Sequence, residues 1–166
     1  MNYSKIKPLD IANAPFVSSS IYFSGCNHKC NGCFNKIAWD FNSGEEYNEE
    51  IENYFIKCLQ NPNVKNACIL GGEPFQQDLS ILYRLVTRIK KETNCNIWIW
   101  SGYLYEELLA LTNPYVIKIL KKCDVLIDGK FDINKRSLLL KFRGSSNQRV
   151  IDLKKSLNFK NIHIIK

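Results

Sequence analysis

Short apolar runs alternate with amphipathic stretches along most of the chain. Runs rich in Val, Ile, Phe, Tyr and Trp are typical of strands, whereas apolar residues at every third or fourth position indicate helices. Ile51, Phe55 and Leu59 share one face of a predicted helix of about 14 residues, which Asn61-Pro62 ends. The predicted strands are 16–24, 67–70, 96–100 and 125–127, and the predicted helical segments are 51–59, 79–89, 105–112 and 116–120.

Strands that alternate with helices indicate a parallel sheet built from right-handed crossovers. The length of 166 residues fits one domain and is too short for a complete eight-unit barrel, which needs about 250 residues. We therefore predict an α/β fold with a single domain over residues 1–166. The C-terminal part is less regular: 138–142 and 162–165 are predicted strands, and 143–149 is a polar loop between them.

The composition is that of a globular protein, because hydrophobic residues make up 45% of the chain and charged residues 23%. No apolar run approaches the roughly 20 residues that a membrane-spanning helix requires. The first ten residues contain Lys5, Lys7 and Asp10, and no apolar stretch of the signal-peptide type follows them. These features predict a cytoplasmic protein with no membrane contact.

Charge is distributed unevenly along the chain. Residues 1–117 carry 10 basic and 12 acidic side chains, a net charge of −2, whereas residues 118–166 carry 13 and 4, a net charge of +9. Such a basic region suits nucleic acid, an acidic protein partner or an anionic substrate. Phe142 is the only aromatic residue in 141–149, so the basic and aromatic interleaving of single-strand binders is missing and nucleic acid is disfavoured as the partner.

Polar or glycine-rich loops follow the predicted strands. Because the carboxyl ends of parallel strands meet at one edge of a sheet, these loops are expected to share one rim. The sequence therefore predicts the functional site at that rim. The loops are Gly25-Cys26, Gly71-Gly72-Glu73, Ser101-Gly102 and Asp128-Gly129.

Three of the seven cysteines lie close together, at Cys26, Cys30 and Cys33. A loop this tight can turn three thiolates towards one centre. A 4Fe-4S cluster normally takes four cysteines, so three would leave one iron open for chemistry. Zinc bound by the three cysteines with His28 or a distant cysteine is the alternative. The other cysteines, predicted to be buried as small hydrophobic residues, are Cys58, Cys68, Cys95 and Cys123.

The Cys-x3-Cys-x2-Cys spacing after the first strand, followed directly by Phe34, resembles the radical S-adenosylmethionine (SAM) enzymes. Gly71-Gly72-Glu73-Pro74 after the next strand resembles the Gly-Gly-acid-Pro motif of that superfamily. Within the superfamily, the chain resembles the anaerobic ribonucleoside-triphosphate reductase activating proteins over residues 1–151. The segments that carry this resemblance are 1–3, 8–10, 23–26, 33–35, 39, 97–103, 124–131 and 143–149.

The resemblance implies an incomplete parallel (β/α) barrel of the radical SAM type that is open on one side. It implies one 4Fe-4S cluster, with Cys26, Cys30 and Cys33 as metal ligands and catalytic residues, and SAM bound at the open iron. An electron from a reductant such as a flavodoxin would cleave SAM. The 5'-deoxyadenosyl radical would then remove a hydrogen atom from a glycine of the large subunit of anaerobic ribonucleoside-triphosphate reductase. The expected function is that of a glycyl-radical-enzyme activase, which is an oxidoreductase.

The resemblance also implies which residues contact SAM on the predicted rim. Gly71 and Gly72 let backbone groups approach the ligand closely, and Glu73 can pair with its ammonium group. Backbone around Gly32 to Phe34 would line the adenine side. Ser101 and Asp128 are further expected contacts to SAM or to a bound cation. The expected cofactor-binding residues are Gly32, Cys33, Phe34, Gly71, Gly72, Glu73, Ser101 and Asp128.

One segment departs from the family pattern. The leader reads Asn13-Ala14-Pro15-Phe16 and continues in serines, where the family usually has Asn-Gly-Pro-Gly and then an arginine. Two other functions fit parts of the sequence: a radical SAM enzyme that acts on a small nucleotide-like substrate, and a zinc-binding nucleic-acid module. The short chain disfavours the former, because a wide lateral opening suits a polypeptide loop better than an enclosed small substrate.

Overall fold

The structure is a computed structural model that describes residues 1–165. The strands are β1 (Asn2–Asp10), β2 (Ser18–Phe23), β3 (Glu45–Glu46), β4 (Asn66–Gly71), β5 (Asn96–Trp100), β6 (Val125–Asp128) and β7 (Arg149–Asp152). The helices are α1 (Glu49–Leu59), α2 (Leu79–Glu92), α3 (Tyr105–Ala110), α4 (Pro114–Lys122) and α5 (Leu153–Phe159). Short 3-10 helices lie at Lys36–Trp39, Pro74–Gln76 and Ile133–Lys135.

The seven strands form one sheet in the order β3-β1-β2-β4-β5-β6-β7. The four central strands β2, β4, β5 and β6 run parallel to one another, whereas β1, β3 and β7 pair antiparallel with their neighbours. The α/β class is confirmed, but the all-parallel expectation is wrong at both edges. β1 reaches β2 through a short loop rather than a crossover helix, and between β6 and β7 the chain forms only a short 3-10 helix. The sheet has two free ends in this order and is not closed.

Alternate residues of the central strands face opposite sides of the sheet. In β4, Ala67 and Ile69 belong to one hydrophobic cluster, and Cys68 and Leu70 to another. All five helices contribute buried residues to the first cluster, and we call that side of the sheet the outer face. The second cluster lies on the inner face, and none of its buried members belongs to a helix.

The helices begin at capping residues that the sequence supplies. Asp78 accepts hydrogen bonds from the backbone N–H groups of Ser80 and Ile81 at the start of α2. Asn113 accepts from the N–H of Tyr115, and Pro114 occupies the first position of α4. The predicted apolar face of α2 is buried against the outer face of the sheet at Leu79, Leu82, Val86 and Ile89. Among residues 1–165, no helix is both long enough and apolar enough to span a membrane.

The predicted strand at 138–142 is wrong. The free edge of β6 is taken by β7, which pairs with it from Val125↔Asp152 to Asp128↔Arg149, so no sheet partner is left for that segment on this edge. At 162–165 the structure has only a single bridge between Ile164 and Ile151. The sequence pattern also missed β1, β7 and α5.

Three of the four isolated cysteines are buried as predicted, namely Cys68, Cys95 and Cys123. Cys58 is only half-buried, because it lies at the margin of the apolar face of α1. All seven cysteines of the described chain carry free thiols.

Candidate functional site

A cavity of about 340 Å³ lies on the inner face where the parallel strands end. Each of the four predicted rim loops contributes to its wall, through Cys26, Gly71, Ser101 and Gly129 among other residues. The three clustered cysteines line this one cavity together with both motif glycines and Glu73. The topology therefore brings together chemical groups from sequence positions as far apart as Cys26 and Gly129.

We call residues 25–35 the cysteine loop, and its first part is held firmly. The carbonyl of Gly25 accepts hydrogen bonds from the backbone N–H of Glu73 (2.8 Å) and from Nε2 of Gln77 (3.0 Å). Gly25 has φ of +104°, and a Cβ atom there would lie 2.1 Å from the ring of Phe41. Only glycine fits this position. The backbone before Cys26 is thereby fixed, and Cys26 itself is buried.

The second part of the cysteine loop is more open. Cys30 and Cys33 are half-buried, and a turn joins the N–H of Cys33 to the carbonyl of Cys30 at 3.1 Å. Phe34 follows with 90% of its surface exposed. Burial raises the pKa of the thiols of Cys26 and Cys30, so a nearby positive charge such as a metal centre is what would favour their thiolate form.

The donor set of the cysteine loop matches the three thiolates that a 4Fe-4S cluster with one open iron takes. Within residues 1–165, no three His, Cys, Asp or Glu side chains converge closely enough to hold one metal ion. Zinc requires its sulfur ligands at about 2.3 Å from one point, whereas three thiolates of a 4Fe-4S cluster bind three different irons. Cys26, Cys30 and Cys33 surround a shared space instead. His28, the alternative zinc ligand, directs Nε2 to Glu73.

Glu73 is fully buried, and both of its carboxylate oxygens are occupied. Oε1 accepts hydrogen bonds from the N–H of Phe75 (3.0 Å) and the hydroxyl of Ser101 (2.9 Å). Oε2 accepts from the N–H of Gly102 (2.6 Å) and from Nε2 of His28 (2.9 Å). Since a carboxylate offers about four acceptor positions, a ligand ammonium at Glu73 would share an oxygen with one of these donors. The carboxylate ties three loops together.

Gly71 and Gly72 are required by the fold itself. A Cβ atom at Gly71 would lie 2.2 Å from the carbonyl oxygen of Phe23, and one at Gly72 would lie 2.3 Å from the carbonyl oxygen of Gly25. These short approaches involve backbone atoms, which no rotamer change relieves. The two glycines therefore let the loop after β4 pack directly against the backbone that leads into the cysteine loop.

Two predicted cofactor contacts lie elsewhere. Asp128 is fully buried and is not among the residues that line the cavity. Its carboxylate accepts hydrogen bonds from the N–H of Tyr105 (2.7 Å) and from the guanidinium of Arg149. Gly32 lines a neighbouring cavity instead. Phe34 lies between the two cavities and contributes to both.

The far wall of the cavity contains residues that the motifs did not indicate. Asn13 in the leader donates through Nδ2 to the hydroxyl of Tyr22 (2.7 Å) and to Asp10 (2.5 Å). Burial opposes ionisation of Asp10, but hydrogen bonds from Ser20, Ala12 and Asn13 outweigh it and hold the pKa of Asp10 below its ordinary value. The leader thus forms part of the cavity wall through Ala12 and Asn13. This placement depends on the tertiary structure, in which the leader packs on the inner face of the sheet.

A second cavity of about 420 Å³ adjoins the first and shares Phe34, Phe131 and Leu140 of its wall with it. Arg136 and Arg143 lie on its wall, and Leu138 and Leu139 at its margin are 88% and 93% exposed. Within the described residues, Arg136 makes no ion pair. The mouth of the site is therefore both apolar and basic.

Comparison with known proteins identifies the family of this chain. A family model described as a 4Fe-4S single cluster domain matches residues 13–151. The anaerobic ribonucleoside-triphosphate reductase-activating protein of Pasteurella multocida (strain Pm70) is 38% identical over 152 residues, which cover 89% of this chain and 95% of that protein. The protein of the same name from Escherichia coli (strain K12) is 37% identical over 158 residues, covering 93% and 100%. That of Enterobacteria phage T4 is 32% identical over 152 residues, covering 90% and 93%. The chain belongs to the family of anaerobic ribonucleoside-triphosphate reductase-activating proteins and carries its 4Fe-4S single cluster domain.

Proposed function

We propose that this chain is a radical SAM activase that generates a glycyl radical on the large subunit of anaerobic ribonucleoside-triphosphate reductase. The observation that carries the proposal is the single cavity shared by the three loop cysteines and the Gly71-Gly72-Glu73 loop. The names of the relatives and the cluster-domain match support it. We further propose one domain with an open, partial-barrel arrangement, acting in the cytoplasm.

Cys26, Cys30 and Cys33 would hold the cluster, and SAM would lie in the adjoining cavity. When bound, the cluster would supply one electron, taken from a reductant such as a flavodoxin, for the cleavage of SAM to methionine and a 5'-deoxyadenosyl radical. Residues of the chain provide the surroundings for this reaction. Ser101 and the loop after β4 would position SAM, with the glycines bringing backbone atoms close to the ligand.

The inner-face side chains would keep water away from the radical. Leu70, Trp100, Phe131 and Phe142 contribute apolar surface to the cavity, and the indole N–H of Trp100 is bound to the carbonyl of Phe142 at 3.0 Å. In such a site the 5'-deoxyadenosyl radical would remove the Cα hydrogen atom of the partner's glycine, giving 5'-deoxyadenosine and a glycyl radical.

The reductase would approach at the mouth of the site. Its glycine is part of a polypeptide, so an open and accessible path to the cysteine loop is needed. Phe34, Leu138 and Leu139 are strongly exposed there, and Arg136 and Lys141 are exposed beside them. This surface is suited to a partner segment that combines apolar and acidic side chains.

The proposal is tested by anaerobic reconstitution of the full chain with iron and sulfide. We expect about four irons per chain and an electron paramagnetic resonance signal of the reduced cluster that changes when SAM is added. Cys30→Ala should lose both the iron and the SAM-dependent change. Cys58→Ala, at a half-buried cysteine of α1, is the matched control and should keep both.

A second step identifies the hydrogen donor. The cognate reductase large subunit, mixed with activase, SAM and reductant, should develop a stable glycyl radical signal. Stoichiometric zinc without iron-sulfur absorption would contradict the cluster assignment. A deoxyadenosine yield that depends on a nucleotide and not on the reductase would instead favour a small-molecule substrate.

A further inference from the structure

His28 is the middle residue between the first two cysteines, and its side chain turns inward. The side chain is 7% exposed, whereas Asn27 and Lys29 on either side are exposed. Its Nε2 donates a hydrogen bond to Oε2 of Glu73 at 2.9 Å. Its ring meets the ring of Tyr103 edge to face, with centroids 4.6 Å apart and planes at 73°. The imidazole is thus held by a polar contact and a packing contact.

The space for this ring depends on Gly102. A Cβ atom at Gly102 would lie 2.4 Å from Cδ2 of His28. Gln76 adds a second link between the same loops, because it accepts a hydrogen bond from the N–H of Asn27 (2.7 Å) and donates one to the hydroxyl of Tyr103 (3.0 Å). The cysteine loop, the loop after β4 and the loop after β5 therefore meet around the imidazole.

After His28, the cysteine loop makes few backbone hydrogen bonds to the rest of the described protein. Among residues 29–34, the described backbone hydrogen bond runs from the N–H of Cys33 to the carbonyl of Cys30 and therefore stays within the loop. His28 is consequently the last buried side-chain anchor before the second and third cysteines.

We propose that His28 is a positioning residue whose hydrogen bond to Glu73 sets the orientation of the cysteine loop relative to the cavity wall formed by Gly71, Gly72 and Ser101. The inference rests on the proposed function, because this orientation matters for a cofactor that spans the loop and that wall. Nε2 donates to Glu73 when the imidazole carries a proton on that nitrogen, which holds for the neutral Nε2–H tautomer and for the cation.

Two substitutions separate the donor from the ring. His28→Phe keeps a ring beside Tyr103 but removes the donor, and His28→Gln restores a donor at a comparable reach. The first readout is amide hydrogen exchange of residues 27–33 in cluster-free protein, which needs neither cofactor nor partner. We expect exchange about tenfold faster in His28→Phe and within about threefold of the parent in His28→Gln. Equal exchange in the Phe variant and the parent would overturn the proposal.

The second readout is SAM binding to the reconstituted protein, measured by the change in the cluster's spin signal. His28→Phe should retain its iron, because all three cysteines are intact, but bind SAM about tenfold more weakly, and His28→Gln should recover most of the loss. His163→Phe is the matched control at the other of the two histidines; its ring contacts Phe159 with centroids 5.4 Å apart, and neither readout should change. Undiminished SAM affinity in His28→Phe would contradict the proposal. A parent protein without any SAM response would refute the proposed function, while hydrogen exchange would still decide the role of His28.

Discussion

The two faces of the sheet are built in different ways from the same strands. On the outer face, helices contribute a continuous apolar layer, with Leu82 and Ile89 of α2 fully buried beside Ile69 and Ile99 of the sheet. On the inner face, loops rather than helices cover the strands, and a cavity remains among Leu70, Trp100 and the cysteines. The outer face is closely packed, whereas the inner face leaves an open cavity.

The buried carboxylates of the two regions show the same contrast. Glu52 of α1 is 1% exposed and bonds to the guanidinium groups of Arg84 and Arg88 on α2, each at 2.9 Å. Glu73 bonds to two backbone N–H groups, a hydroxyl and the imidazole of His28. The first carboxylate joins two helices through full opposite charges, and the second joins three loops around the cavity. The buried carboxylate of Glu52 therefore stabilises helix packing on the outer face, and that of Glu73 holds the loops together around the cavity.

Removing a side chain from each face should give unequal losses of stability. Leu82→Ala leaves a closed void in the outer layer and should lower the free energy of unfolding by about 3 kcal/mol. Leu70→Ala opens into the existing cavity, where water can enter, and should cost about 1.5 kcal/mol. Urea unfolding of the two variants measures the difference. Equal losses would show that the inner face is packed as tightly as the outer one.

The charged contact between α1 and α2 should make part of the stability depend on pH. Burial raises the pKa of Glu52, but hydrogen bonds from Arg84, Arg88 and Tyr47 outweigh it, so this pKa lies below its ordinary value of 4.5. The contribution is therefore complete above that value and is lost as pH falls through the lower pKa of the folded protein. Glu52→Gln should lower the free energy of unfolding at pH 7 by about 2 kcal/mol.

The measurement for this contact is the free energy of unfolding between pH 7 and pH 3. The parent should lose more stability over this range than Glu52→Gln, because the variant has already lost the ionised group. Glu92→Gln removes an exposed carboxylate on the same guanidinium of Arg88 and serves as the matched control. Parallel pH curves for the parent and Glu52→Gln would contradict the role of the buried carboxylate.

The smallest expected effect concerns the leader that crosses the inner face. Phe16 has φ of +65° and is 77% exposed. Phe16→Gly removes the left-handed strain, although glycine increases the entropy of the unfolded chain, and the net gain should be about 0.5 kcal/mol. Phe16→Ala keeps the Cβ atom and should not gain. An equal gain in both variants, measured by thermal unfolding, would show that strain at this position is not the cause.

The regular parts of the fold were predictable because their side chains repeat. The spacing of Leu82, Val86 and Ile89 predicts α2, and its buried face agrees. The strand β1 was not predicted, because it is half-exposed along most of its length and shows no strict alternation. The stretch 138–142 was predicted wrongly because exposed Leu138 and Leu139 resemble a strand in composition, and composition does not say whether a sheet edge is free.

The candidate site was predictable in its motifs and not in its contacts. The spacing of Cys26, Cys30 and Cys33 and the order of the loops indicated one rim, and the structure places these loops around one cavity. No local pattern indicates that Asp128 is held by Arg149, or that Gln76 joins two loops. These partners lie 21 to 49 residues apart along the chain, and such pairs are set by strand order.

The sequence by itself determined the central strands, the helices α1 to α4, the glycine positions and the spacing of the three clustered cysteines, because periodicity, turn chemistry and cysteine spacing are local properties of the chain. Only the tertiary structure decided that β7 closes the edge of β6, that the leader forms a wall of the cavity and that His28 bonds to Glu73. Each of these depends on which distant backbones become neighbours. That choice follows from burying the outer-face core as a whole, and no single segment encodes it.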